Sequence, residues 1–206
     1  MKKLIIEFIG TMFLVLVIGV SGNPLAIGAI YMAMIYMGGH ISGGHFNPAV
    51  TAAVLLRGKI APKEAMQYWG VQLAGGLIGA AVSYWMKNGP TPVAVAEGMW
   101  VEAIAGEILF TFALASVFLN TATSGDTAGR SFYGLAIGFT VLAGIMAVGP
   151  ISGGAFNPAV SLGHNLMALN FNDLGAGNWC DMLLHVLCAL VGGAVAASVY
   201  KMTNSD

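Results

Sequence analysis

Apolar residues gather in six long runs, at about 4–21, 25–42, 64–86, 100–120, 131–149 and 178–201. A bilayer core about 30 Å thick is crossed by roughly 20 apolar residues of helix, so each run predicts a membrane span. The turn Ser21-Gly-Asn-Pro24 makes the first link very short, Lys87-Asn-Gly-Pro-Thr-Pro92 opens a longer central link, and a polar stretch follows Asn120. Two further apolar runs, 48–56 and 158–169, are too short to span. Each begins on a proline, Pro48 or Pro158, at the first helical position, where the missing N–H costs nothing. Each proline follows an asparagine, Asn47 or Asn157, a residue suited to capping a helix. These runs predict two Asn-capped half-helices that enter the membrane from a glycine-rich loop. Irregular backbone at membrane depth is stable only inside protein or beside a water-filled cavity, so the pair implies a cavity.

The two loops are copies of each other. Residues 41–50 read ISGGHFNPAV and residues 151–160 read ISGGAFNPAV, differing only at His45 and Ala155. The repeat extends outward, because Glu7-Phe-Ile-Gly-Thr resembles Glu107-Ile-Leu-Phe-Thr. The two glutamates are 100 residues apart and the two asparagines 110. The second copy therefore carries about ten more residues, most simply in the 120–130 link. We read one domain, 1–206, made of repeat 1 at about 1–86 and repeat 2 at about 98–206. Each copy holds three spans and one half-helix, and an odd number of spans inserts the copies with opposite orientation, the inverted-repeat plan of transport proteins.

Charge sets the orientation. With both termini inside, the cytoplasmic links hold Lys2, Lys3, Arg57, Lys59, Lys63, Arg130 and Lys201, and the outside holds Lys87. Positive residues favour the cytoplasmic side, so this bias places the first loop inside, the second outside, and the asparagines face to face near the midplane. Composition agrees with a membrane protein: 57% hydrophobic and 8% charged, against about 25% charged in soluble domains. A net charge of −1 offers no basic surface for nucleic acid. Met1-Lys-Lys could open a signal peptide, but Glu7 would interrupt its apolar core, so residues 4–20 read as a retained first helix. Cys180 and Cys188, eight residues apart on one predicted helix, would lie roughly 12 Å apart along its axis and cannot bond to each other. No zinc spacing or disulfide framework is present, and neither a metal nor a cofactor is expected.

The paired Asn-Pro-Ala boxes in a shared decapeptide, the six spans and the glutamates near the start of the first and fourth helices resemble the aquaporin, or major intrinsic protein, family. The resemblance covers nearly the whole chain. It implies an all-α integral membrane fold of six transmembrane helices and two re-entrant half-helices, an hourglass pore in each subunit, and a homotetramer in the cell membrane. It implies that Asn47, Pro48 and Ala49 meet Asn157, Pro158 and Ala159 at the pore centre, with the asparagine amides donating to passing solute. Each half-helix presents the positive end of its dipole, equivalent to about half a charge. Two such ends facing one point repel cations, including hydronium, and orient water so that a proton-conducting chain is broken. By the same resemblance, Gly43, Gly44, Gly153 and Gly154 turn carbonyls to the lumen, and His45 and Ala155 stand in the same loops. Glu7 and Glu107, acids in apolar helices and therefore candidates for a functional role, each hold a loop leading to a half-helix. His45 has two readings, a pore-lining residue of the cytoplasmic half or a histidine bonded within its loop. His40, His164 and His185 read as structural, and Met32, Met34 and Met37 as gap-filling.

The chain departs from the family after the second box. Most members place an arginine there; here the residue is Val160. If loop lengths match, the other filter positions are Ile27, Ile145 and Gly154, a ring with no side-chain donor. Plant vacuolar members also place valine at this position. The aspartate that often follows in glycerol channels is replaced by Ser161. The expected function is a passive channel for water and small uncharged solutes such as glycerol, urea or ammonia. The alternatives are a strict water channel or a non-conducting junction or scaffold protein of the same fold. Nothing resembles a catalytic site.

Overall fold

The computed structural model of the chain describes residues 1–169 and 179–204. Its helices are α1 Lys2–Ser21, α2 Pro24–Ser42, α3 Pro48–Arg57, α4 Pro62–Lys87, α5 Trp100–Phe118, α6 Tyr133–Ser152, α7 Pro158–Ala168 and α8 Trp179–Thr203. All six spans and both half-helices stand where the apolar runs predict them. Residue 178, where the last run was expected to start, lies outside the described residues, as do 205 and 206 of the predicted domain.

The ends follow local chemistry. Asn23 accepts from the backbone N–H groups of Leu25 and Ala26, and Pro24 opens α2. Gly22 closes α1 in the left-handed region at φ 62°. One boundary differs from expectation. The fifth apolar run ends at about 149, yet α6 continues through Pro150 to Ser152. The Gly153 N–H closes the last turn on the Gly149 carbonyl at 2.8–2.9 Å, as the Gly43 N–H does on Gly39, and the Ser152 hydroxyl is held by Glu107. A proline in the last turn is tolerated where tertiary bonds fix the end.

The difference between the copies lies in one link. Two residues separate α1 from α2, whereas α5 and α6 are joined by a π-helical turn, Leu119–Thr123, a 3₁₀ turn, Gly125–Thr127, and the residues up to Tyr133. Five helices are long and apolar enough to cross a membrane. α4 has the length, 26 residues, but is not among the five; it carries polar and charged side chains, one of which, Gln72, serves the interior.

The packing repeats with the sequence. α1 packs on α4 as α5 packs on α8, α4 holds α7 as α8 holds α3, and α2 meets α6 across the centre. The crossings are tight enough to need glycine. A Cβ on Gly75 would stand 2.5 Å from the Phe8 carbonyl and one on Gly192 2.6 Å from that of Ile108. One on Gly76 would meet the Ala159 carbonyl at 2.6 Å, and one on Gly193 that of Ala49 at 2.7 Å. In a membrane, helices associate through such close backbone approach. Large apolar side chains such as Val101, Met146 and Leu109 point outward and are more than half exposed, as a lipid-facing surface requires.

Candidate functional site

The site is built where α3 and α7 meet by their N-termini. Each asparagine does two things. The Asn47 carbonyl oxygen accepts from the Ala49 N–H at 2.8 Å, and the Asn157 oxygen from Ala159 at 2.9 Å, which caps each half-helix. The amide nitrogens then cross over: Asn47 Nδ2 donates to the Phe156 carbonyl at 2.8 Å, and Asn157 Nδ2 donates to the Phe46 carbonyl at 3.0 Å. Each amide has two N–H groups, so one on each side remains for a solute.

The loops before the caps share one strained conformation. Gly43, Gly44 and Phe46 have φ of 93°, 69° and 49°, and Gly153, Gly154 and Phe156 repeat it with 85°, 66° and 47°. Positive φ at a phenylalanine is costly and persists only where the surroundings impose it. The acids impose it. Glu7, fully buried, accepts from the His45 N–H at 3.0 Å, the Phe46 N–H at 2.7 Å, the Ser42 hydroxyl at 2.6 Å and the Gln72 amide at 2.8 Å. Glu107, also fully buried, accepts from the Ala155 N–H at 2.9 Å, the Phe156 N–H at 2.8 Å and the Ser152 hydroxyl at 2.8 Å. A second clamp holds the carbonyl where each loop begins. The Tyr68 hydroxyl donates to the Ser42 carbonyl at 2.7 Å, and His185 Nε2, which must carry the proton to do so, donates to the Ser152 carbonyl at 2.6 Å.

With the N–H groups turned to the acids, the loop carbonyls face away. Among the described residues no donor reaches the carbonyls of Gly43, Gly44, Gly153, Gly154 or Ala155. Gly154 and Ala155 line a lumen with Asn47 and Asn157, whose other walls are Tyr31 and apolar side chains such as Leu14, Leu114 and Val141. Its volume is about 10 Å³, near the roughly 10–15 Å³ needed to hold one water.

Ile27, Ile145, Gly154 and Val160 come together. All four line both the lumen and a vestibule of about 440 Å³ that also contains Lys87. A second vestibule of about 310 Å³ is lined by Lys3, Lys59 and His45; the two are called outer and inner after the orientation expected from charge. The basic residues cluster on the inner face: Lys2 and Lys63 lie close by, and Arg57 ties α3 to α8 through the Tyr200 hydroxyl at 2.7 Å. The His45 ring is held by a residue of α3 and not within its own loop. Its Nδ1 lies 3.0 Å from the Thr51 hydroxyl, its ring meets Tyr68 and Phe118 edge-on, and it still borders the inner vestibule. Gln72 donates to both Glu7 and Thr51; the Thr51 hydroxyl has the Gln72 oxygen at 3.4 Å and His45 Nδ1 at 3.0 Å as acceptors within reach, and where it donates to Nδ1 the ring proton sits on Nε2.

Of the histidines expected to be structural, His164 bonds the Val15 carbonyl at 3.1 Å and Thr91 at 3.2 Å, and His185 bonds Ser152; His40 is exposed. Cys180 and Cys188 are both free. Among the described residues no cluster could hold a metal ion. Tyr31, Tyr68 and Gln72 were missed by the sequence reading. The signal available for them was the one used for the glutamates, a polar group inside a membrane span.

The family model for the major intrinsic proteins matches residues 17–200. A glycerol uptake facilitator protein-like 6 from Lactiplantibacillus plantarum is 32% identical, with all of both chains covered. Aquaporin TIP2-3 from Zea mays is 34% identical over 97% of this chain and 86% of its own. The crystallographic aquaglyceroporin of Plasmodium falciparum superimposes with a TM-score of 0.80 at 20% identity, covering 98% of this chain and 96% of that one, which establishes the likeness of fold.

Proposed function

The chain belongs to the major intrinsic protein family, and from that membership we propose that it passes water together with small uncharged solutes, such as glycerol, urea or ammonia, passively across a membrane. It is a channel and not an enzyme. The observation that carries the proposal is the crossed pair of asparagine amides at the tips of two opposed half-helices, on the wall of a lumen with a vestibule at either end. A molecule passing there finds two N–H donors at the centre and carbonyl acceptors on either side. A neutral solute exchanges its water hydrogen bonds for these. A cation meets two positive helix ends and an apolar ring that strips its hydration, which costs several kcal/mol per ion in a low-dielectric setting. We assign the filter to Ile27, Ile145, Gly154 and Val160 and the lumen acceptors to the loops of Gly43, Gly44 and His45 and of Gly153 and Ala155. The clustered basic residues support a cytoplasmic position for that face and for both termini in the cell membrane. The exposed apolar belt suits lipid and a homotetrameric assembly.

A strict water channel is the second reading, favoured by the small lumen. Stopped-flow light scattering on proteoliposomes separates the two. Fast shrinkage in an impermeant osmolyte followed by fast re-swelling in urea or glycerol supports the broader channel. Fast shrinkage without solute-driven re-swelling supports the strict one. Shrinkage no faster than that of empty liposomes refutes both and leaves a non-conducting protein of the same fold.

A further inference from the structure

The lumen joins its two mouths unequally. It shares Ile18, Ile27, Ile145, Gly154 and Val160 with the outer vestibule and no lining residue with the inner one. The apolar ring is thus continuous with the outer mouth, and the break lies on the inner side of the asparagine pair. The repeat identifies what differs there. Tyr31 and Val141 are 110 residues apart, the same offset as Asn47 and Asn157, and both line the lumen. One half of the pore therefore presents a phenol where the other presents an isopropyl group. Tyr31 is held in place: it is 1% exposed, its ring lies 6.4 Å from that of Phe46, and its hydroxyl donates to the His45 carbonyl at 2.8 Å. The ring cannot swing aside without breaking this hydrogen bond. On the outer side the matching carbonyl, that of Ala155, has no such partner among the described residues, because Val141 cannot donate.

We infer that Tyr31 sets the largest solute the pore admits: its ring narrows the inner half of the lumen, and its bond to the His45 carbonyl fixes the ring there. The inference rests on the channel reading. It places the size limit inside the asparagine pair and not at the apolar ring, and it grades uncharged solutes by girth, with water fastest, then urea, then glycerol. The hydroxyl also takes one carbonyl out of the set open to solute, so the inner half is narrower and poorer in acceptors than the outer.

The test is the ratio of glycerol to water permeability in proteoliposomes of the wild type, Tyr31→Val and Tyr31→Phe. Tyr31→Val gives the inner half the side chain its counterpart carries, and should raise the ratio about tenfold, the change that ~1.4 kcal/mol off one barrier produces. Tyr31→Phe keeps the ring but frees it, and should raise the ratio by a smaller factor. If Tyr31→Val does not assemble, Tyr31→Leu removes the ring with a larger aliphatic group and should move the ratio in the same direction. A ratio for the aliphatic variant within about twofold of the wild type, with water flux retained, overturns the inference while leaving the channel reading intact. A wild type that carries no water beyond bare lipid overturns both.

Discussion

Replacing Glu7 by glutamine tests whether the acids hold the pore loops. The carboxylate of Glu7 accepts from four donors: two backbone N–H groups, a hydroxyl and an amide, at 2.6 to 3.0 Å. Glutamine offers one accepting oxygen and one donating nitrogen. With the oxygen toward Ser42 and His45, the new NH₂ faces the Phe46 N–H and the Gln72 amide. Gln72 can turn over, but a backbone N–H cannot, so at least the Phe46 donor is left unpaired. An unsatisfied buried donor costs about 1–3 kcal/mol. For a chain of this size each kcal/mol lowers Tm by about 2–4 °C, so the midpoint should fall by about 2–12 °C in detergent. Phe46 is held at φ 49° by these bonds, and its carbonyl receives the Asn157 amide, so water permeability should fall with stability. Glu107→Gln should cost less, because that acid has three such donors. Size-exclusion profiles after graded heating give the midpoints, and stopped-flow scattering gives the flux. An unchanged midpoint and flux for Glu7→Gln would mean that position 7 needs only a polar group of that shape, and the loop-clamp argument would fail.

Three other substitutions probe separate parts. Val160→Arg puts a long cation into the ring of Ile27, Ile145 and Gly154, and should reduce urea and glycerol re-swelling while sparing some water flux; unchanged solute flux would remove Val160 from the filter. Asn157→Asp keeps the cap on Ala159 but turns the crossed bond to the Phe46 carbonyl into a repulsive contact beside the helix dipoles, so cation conductance in planar bilayers should rise above the wild type, and a background value would weaken the electrostatic account. Gly193→Ala places a Cβ 2.7 Å from the Ala49 carbonyl and should destabilise the seat of α3 on α8 by ~1–3 kcal/mol, read as a lower Tm than Gly89→Ala, where no atom lies within 4 Å of the added carbon.

The spans and the half-helices were legible because a bilayer demands long apolar runs and because Asn-Pro marks a helix start in one dipeptide. The acids were legible because an ionisable group in an apolar helix needs partners. The contacts between the copies were harder to read, for a reason that lies in the repeat itself. Its offset is not constant. It is 100 for Glu7 and Glu107 and 110 for the loops, and for the last helix of each copy it becomes 117, which pairs Gly75 with Gly192, Gly76 with Gly193 and Tyr68 with His185. The first change comes from the longer link between α5 and α6. The second arises between α3 and α4 in one copy and α7 and α8 in the other. No ungapped comparison can align a tyrosine with a histidine across such a shift, and the two residues share no chemistry except that each donates to the carbonyl of the serine ending the helix before the repeated loop. The same offset sets Ala189 against Gln72. This is why Glu7 receives a fourth donor and Glu107 does not, and why Gln72 links Glu7 to Thr51 and His45 on the inner side only. The two loops match in backbone and the lumen wall differs at Tyr31 and Val141, so the fold follows from what the copies share, and the size limit we propose follows from where they differ.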